Sequence, residues 1–285
     1  MITTRQDLIN YSRGMELLGE IVSWNCSKVS ISQTALEEAL SSSFLSTHVT
    51  PELPFQTAFT RACKNLGQRH LIRKLEEDSE FLYFQFTREA RAGEYFTYET
   101  EGKLTLSKET GKIACTVPEL GQAVQVELDK ELPLRKGGDI SKLLLKLLEH
   151  EAGLFPVRPQ GGCYLVLKEH SAFLDSLESF VERVGGQLLR FPVPSGTKAG
   201  DQSVKQTIAS GLSALINEYS NSIDNFGSDT KPSTLERAAD HIRVARFKVE
   251  SYSAYLEDER SKLDAMLAGA SERLKEKVSQ FAATV

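Results

Sequence analysis

Arg61, Lys64, Arg69, His70, Arg73 and Lys74 fall within residues 61–74, and Lys130, Arg135, Lys136, Lys142 and Lys146 fall within residues 130–146. Fixed positive charge in compact groups is answered by phosphate oxygens, through counterion release and charge-assisted hydrogen bonds. The nucleic-acid site this chemistry points to is Arg61, Lys64, Arg69, Arg73, Lys74, Arg135, Lys136 and Lys142. Against it, Glu76, Glu77, Asp78 and Glu80 follow the first group at once and can neutralise it across a hairpin. The neighbouring run Phe81–Phe86 offers rings on which unpaired bases could stack. Strand alternation instead sends Leu82, Phe84 and Phe86 to a core and leaves Phe81 and Tyr83 for a second layer.

Patterns that carry catalysis are scarce. No phosphate-cradling glycine loop with its lysine, dinucleotide fingerprint, serine elbow or paired-histidine zinc motif occurs in the chain. Gly137-Gly138-Asp139-Ile140-Ser141-Lys142 has the residue types of a phosphate loop without its spacing, so Asp139 reads as a helix cap. Ser195 and Lys198 sit in a Pro- and Gly-flanked stretch, where no helical turn brings the amine to the hydroxyl. His150, Glu151, Cys163 and His170 are metal-ligand types at long, irregular spacing, and His150 suits a helix C-terminus. Trp24, beside Ile21 and Val22, reads as a core anchor. The expectation is therefore no catalytic residue, no metal and no cofactor.

The elements that must position these residues follow from periodicity. Leu235, Ile242, Val249, Leu256, Leu263 and Ala270 recur every seven residues, with Ala238, Ala245, Tyr252 and Met266 at the second seam position. Pro232 and Ser233 open this stretch, and Ser233 with Glu236 forms a capping box. An uninterrupted helix from there would reach roughly 70 Å. A stripe at Val204, Ile208, Leu212, Leu215, Tyr219 and Ile223 predicts a shorter partner helix, giving an antiparallel hairpin with an overhanging arm. Leu256, Leu263, Met266, Leu267, Leu274 and Val278 are then left for an oligomer interface, within the mixed charges of a coiled-coil flank.

Upstream, mixed apolar spacing predicts a helix over 6–23. A brief strand follows at 28–32, then a helix capped by Thr34 and Glu37 and another over 55–66. Period-two runs predict strands at 71–75, 81–87, 95–99, 103–107, 112–117 and 123–128, with turns at Glu101-Gly102 and Thr110-Gly111. A helix over 140–150, a hairpin across Gly161-Gly162, a helix over 172–184 and a strand over 187–193 complete the body. Helices before a hairpin, at 34–87 and in half at 140–167, give the outline of a winged-helix element from element order alone.

The reading is α+β: an antiparallel sheet body flanked by helices over 1–193, a linker at 194–202, and a helical hairpin with a long coiled-coil helix over 203–285. A net charge of −5 argues against a purely electrostatic nucleic-acid binder. Four scattered cysteines without a Cys-x-x-Cys pair, and no apolar run long enough for a signal or membrane helix, point to the cytoplasm. The function expected is a non-enzymatic oligomerising adaptor or accessory protein that binds a protein partner or itself through the C-terminal helices. The alternatives are DNA or RNA binding by residues 61–74 and 130–146, and an enzyme of unrecognised class.

Overall fold

The computed structural model describes residues 16–41, 52–66, 70–92, 95–158, 160–196, 198–227, 230–256 and 259–282. The elements in chain order are β1 (Leu17–Asn25), β2 (Ser30–Ser32), α1 (Gln33–Ser41), α2 (Phe55–Leu66), β3 (His70–Glu77), β4 (Phe81–Ala92), β5 (Tyr95–Ser107), β6 (Ile113–Cys115), α3 (Pro118–Glu131), β7 (Leu134–Lys136), α4 (Gly137–Ala152), β8 (Phe155–Pro156), β9 (Tyr164–Leu167), α5 (Ser171–Arg183), β10 (Gln187–Pro194), α6 (Lys198–Asp224), α7 (Pro232–Ser251), α8 (Ser253–Leu256) and α9 (Glu259–Ala282). The architecture is α+β, with antiparallel sheets flanked by helices and helices at the C-terminal end. It forms two compact units. The first comprises Met1–Asn25, Ser141–Glu182 and Gln187–Val285, and the second Cys26–Ile140 with Arg183–Gly186.

In the first unit, four strands in the order β10-β1-β9-β8 make an antiparallel sheet. Leu17–Asn25, expected inside a helix over 6–23, is one of its central strands; residues 1–15 lie outside the described residues. Buried positions fall consecutively at Gly19 and Glu20 as well as at Val22, so the strand lacks the clean alternation that would reveal it in sequence. Gly19 is required by the packing, since a Cβ there would lie 2.3 Å from the carbonyl oxygen of Val166 on β9. Trp24, expected as a core anchor, is partly buried with its ring stacked on Tyr164 at 5.3 Å. Glu20 is buried because Arg190 meets it with two hydrogen bonds of 2.6 and 2.7 Å. The same guanidinium also donates to Asp175 and Glu178, tying α5 to the sheet. Burial opposes the charge on Arg190, but the hydrogen bonds it donates to Glu20 and Asp175 outweigh it and raise the pKa.

The C-terminal helices differ most from expectation. The heptad stripe does not run on as one rod: at Tyr252 the backbone leaves the helical region (φ −101°, ψ 15°), separating α7 from α8 and α9. The chain doubles back there, as the ion pair between Arg260 and Glu250 requires, and Lys277 donates to the Phe226 carbonyl at the far end of α6. Thus α6, α7 and α9 pack on one another as an up-down-up bundle. Leu256, Leu263, Leu267 and Leu274, expected to lack intramolecular cover, are buried in a core shared with Val204, Ile208, Leu212, Phe155 and Leu165. Met266 packs at its margin, and only Val278 of the expected interface is substantially exposed. The 194–202 joint is not where the compact units divide. Pro194 ends β10, Lys198 already begins α6, and Ser195 donates its amide to the Glu16 carbonyl at 2.7 Å.

In the second unit, β3-β4-β5-β6 form a four-stranded antiparallel meander and β2 pairs with β7. Alternation on β4 and β5 sends Leu82, Phe84, Phe86, Leu104 and Leu106 to one face. There they share a core with Ala58, Phe59 and Ala62 of α2 and Val124 and Leu128 of α3. The expected strand at 123–128 is part of helix α3: Pro118 occupies the first turn, and Val124 and Leu128, one turn apart, are buried while Val126 is exposed. The expected turn at Glu101-Gly102 is an irregularity inside one long strand, because Phe86 pairs with Gly102 and Thr87 with Thr100, leaving Glu101 as the extra residue of a bulge. Helix α1 is capped by Ser32, whose hydroxyl accepts the Ala35 amide at 3.1 Å, rather than by Thr34. The helix-then-hairpin outline is present at 55–87, but its hairpin is half of the meander.

The buried stripe yields a test. Leu263→Ala should lower stability by about 2–5 kcal/mol in urea unfolding, the range for truncating a fully enclosed leucine. An unchanged midpoint would show that the stripe is uncovered within one chain.

Candidate functional site

The structure distributes the basic residues singled out by the sequence into different roles. Arg61, on α2, pairs with Asp139 through one guanidinium nitrogen, Nη2, which lies 2.7 Å from each carboxylate oxygen, while Nη1 reaches the Leu134 carbonyl. Asp139 also accepts the Lys136 amide at 2.8 Å, so it caps the start of α4 as expected while holding α2 against β7. Arg135 is buried and donates to the carbonyls of Leu132 and Leu134. Lys136 pairs with Glu131 at 2.7 Å, and Lys74 pairs with Glu77, which also takes Lys108 at 2.7 Å. Arg61, Arg135, Lys136 and Lys74 therefore serve the fold. Lys64, Arg73 and Lys142 are exposed; Lys142 belongs to the first unit, and Arg69 lies outside the described residues.

Electrostatics in this network follow from its partners. Burial of Glu131 opposes ionisation, but hydrogen bonds from Lys136 and Asn65 and the charges of Lys136 and Arg61 outweigh it and hold the carboxyl below its ordinary value. Hydrogen bonds from Lys108 and Lys74 bring Glu77 down to about 2. Asp78 is held low by the amides of Phe81 and Glu80 and the Tyr83 hydroxyl. Burial pushes the Cys63 thiol up to about 12, leaving it protonated and unreactive.

Several cavities carry polar groups. One in the second unit, about 600 Å³, has Phe55, Leu82 and Pro133 as apolar wall with Lys108, Glu77 and Arg135. One in the first unit, about 700 Å³, is lined by His150, His170, His241, Tyr219, Phe247 and Tyr252, with the Tyr219 and His241 rings stacked at 4.7 Å. Among the described residues no cluster of histidine, cysteine or carboxylate side chains could hold a metal ion, and His150 bonds to Glu151 at 2.9 Å.

The surface feature missed in the sequence is the outer face of the meander, turned away from α2 and α3. Register places Arg73, Gln85 and Lys103 in one cross-strand row on this face, with Glu76, Tyr83 and Thr105 in the next. Arg73 and Lys103 make no ion pair among the described residues. Beyond the row, β4 and β5 outrun their neighbours: β3 as described ends opposite Arg88, and β6 pairs β5 only over Leu104–Leu106. Among the described residues, pairing of 89–92 with 95–98 therefore stands as a two-stranded arm. Gln85 donates to the Thr100 hydroxyl at 2.7 Å, which fixes Thr100 on the outer face, and alternation puts Tyr98 and Phe96 there with it. Phe96 and Tyr98 are 54% and 57% exposed, and Tyr95, on the opposite side of the ribbon, is 78% exposed. The sequence signal was available in Tyr95-Phe96-Thr97-Tyr98, a strand with rings on both faces, which a one-sided core cannot bury.

Two outcomes check the structural roles assigned to the charges. Arg61→Ala should cost about 2 kcal/mol in urea unfolding, with Lys recovering part of it, because a partly buried charge-assisted pair is lost; a variant of wild-type stability would return Arg61 to the phosphate-contact candidates. The Glu131 carboxyl has a folded pKa below its unfolded value of about 4.5, so its stabilisation is full above that pH and fades as pH falls through the folded value. The stability gap between wild type and Glu131→Gln should accordingly shrink on acidification, and a gap that widens in acid would contradict the sign.

No curated protein sequence matches the chain. Residues 17–283 match the model of a family of unknown function, DUF6744, and span both compact units, so the chain belongs to that family.

Proposed function

We propose that this protein is a non-enzymatic adaptor that binds a macromolecular partner through the outer sheet face and β4–β5 arm of its second unit. The observation that carries this reading is the pair Phe96 and Tyr98, each more than half exposed on the same side of a ribbon that shares its face with Tyr83, Arg73 and Lys103. A two-stranded ribbon is marginal in water by itself, and aromatic rings beside cations are the residues that concentrate binding energy at protein interfaces. The four free thiols suit a reducing cytoplasm as the compartment.

Nucleic acid is the second reading, favoured by the same row: Arg73 and Lys103 flank Gln85 on an open antiparallel face beside rings, an arrangement on which single strands can stack. Charge weighs against it. Residues 88–101 hold Glu89, Glu94, Glu99 and Glu101 against Arg88 and Arg91 only, so the arm would repel a phosphate backbone.

A photo-crosslinking residue placed at Phe96 or Tyr98 in the native host should give a discrete protein product, whereas one at Val126, exposed on α3, should not. Labelled single-stranded DNA should fail to bind at physiological salt. Binding that falls steeply between about 50 and 200 mM salt and is lost in Arg73→Glu/Lys103→Glu would establish the nucleic-acid reading instead. The absence of any product at Phe96 and Tyr98 would remove the adaptor reading.

A further inference from the structure

We infer that the partner covering this face is a second copy of the chain, packed outer face to outer face about a two-fold axis; this rests on the docking reading above and names its occupant. The face is self-complementary in a way that a two-fold exploits. One end carries the exposed rings of Phe96 and Tyr98. The other carries a shallow groove of about 490 Å³ lined by Leu75, Glu76, Tyr83, Lys103, Thr105 and Ala114, with Arg73 in the same cross-strand row as Lys103. Leu75 is itself 51% exposed. Laying two such faces together with strands antiparallel brings the rings of each copy over the groove of the other, where Lys103 and Arg73 meet them as cation–π partners. The opposite arrangement, arm against arm, would set rings on rings and leave Lys103 and Arg73 without an aromatic partner. The match of rings to cations therefore selects the antiparallel overlap.

The area is adequate. Four strands at about 4.8 Å spacing span roughly 19 Å, and the twelve residues of β4 run about 40 Å at 3.3 Å each. Even with the two-stranded arm narrower than the rest, each copy offers roughly 600 Å² and the pair about 1,200 Å², the lower edge of a stable interface. Closed two-fold pairs are the commonest assembly of identical chains, and packing of two sheet faces needs no new backbone hydrogen bonds.

Sedimentation of the full chain from low to tens of micromolar decides the matter. Wild type should sediment with twice the mass of one chain. Phe96→Ser/Tyr98→Ser should sediment as one chain and still unfold cooperatively on heating, since both side chains are exposed, and Arg73→Glu/Lys103→Glu should weaken the dimer at least tenfold. A wild type that stays a single chain overturns the inference; a discrete product with another protein at Phe96 would then leave the docking reading standing with that protein as occupant. A dimer that survives Phe96→Ser/Tyr98→Ser also overturns it, because the contact would lie elsewhere.

Discussion

A strand can direct its side chains to only two sides, and in the second unit that rule decides what the surface offers. Leu82, Phe84 and Phe86 of β4, with Leu104 and Leu106 of β5, must lie over α2 and α3 to be buried. Once they do, Tyr83, Gln85, Lys103 and Thr105 have only the other face available. The Arg61–Asp139 pair reinforces the choice by fixing α2 beside β7 and the start of α4, on the core side. The outer face and the arm that continues it are thus the complement of a one-sided core.

The first unit obeys the same logic with the opposite outcome. Its apolar stripe on α7 to α9 is broad enough to need cover, and the reversal near Tyr252 supplies it from within the chain, through α6 and the strands β8 and β9. Arg190 closes the other side of the sheet by satisfying buried Glu20 together with Asp175 and Glu178. What this unit leaves exposed lies in neighbouring pairs, Val244 and Phe247 on α7 and Leu189 and Phe191 on β10, whereas the second unit has its exposed rings on the β4–β5 ribbon.

Local signals in the sequence were legible where one rule acted alone. Helix α2 runs from Phe55 to Leu66, the bounds read from the sequence, and the hairpin over Gly161-Gly162 and the helix ending before Gly185 form as read. Misreadings arose where two rules competed. Val124, Val126 and Leu128 alternate like a strand, yet Pro118 and the one-turn spacing of Val124 and Leu128 win. Leu17–Asn25 is covered on both faces and shows neither period. The heptad marked the buried positions correctly but could not show the break at Tyr252, which has neither proline nor glycine nearby. Part of the basic group is engaged within the fold for a different reason: Arg61 finds its acid 78 positions away, a pairing invisible to any local pattern. Conversely, Glu101-Gly102 resembled a turn, which hid the single long β5 and with it the arm.

The central claim, that the arm and outer face are covered by docking, is tested most directly by backbone hydrogen exchange measured at low and at high concentration of the full chain. Amides of 95–98, held among the described residues in only a two-stranded ribbon, should exchange rapidly in dilute protein and become protected as association fills the face, while the core amides of α2 and α3 stay unchanged. Exchange in 95–98 that is slow in dilute protein, or equally fast at every concentration, would contradict the account.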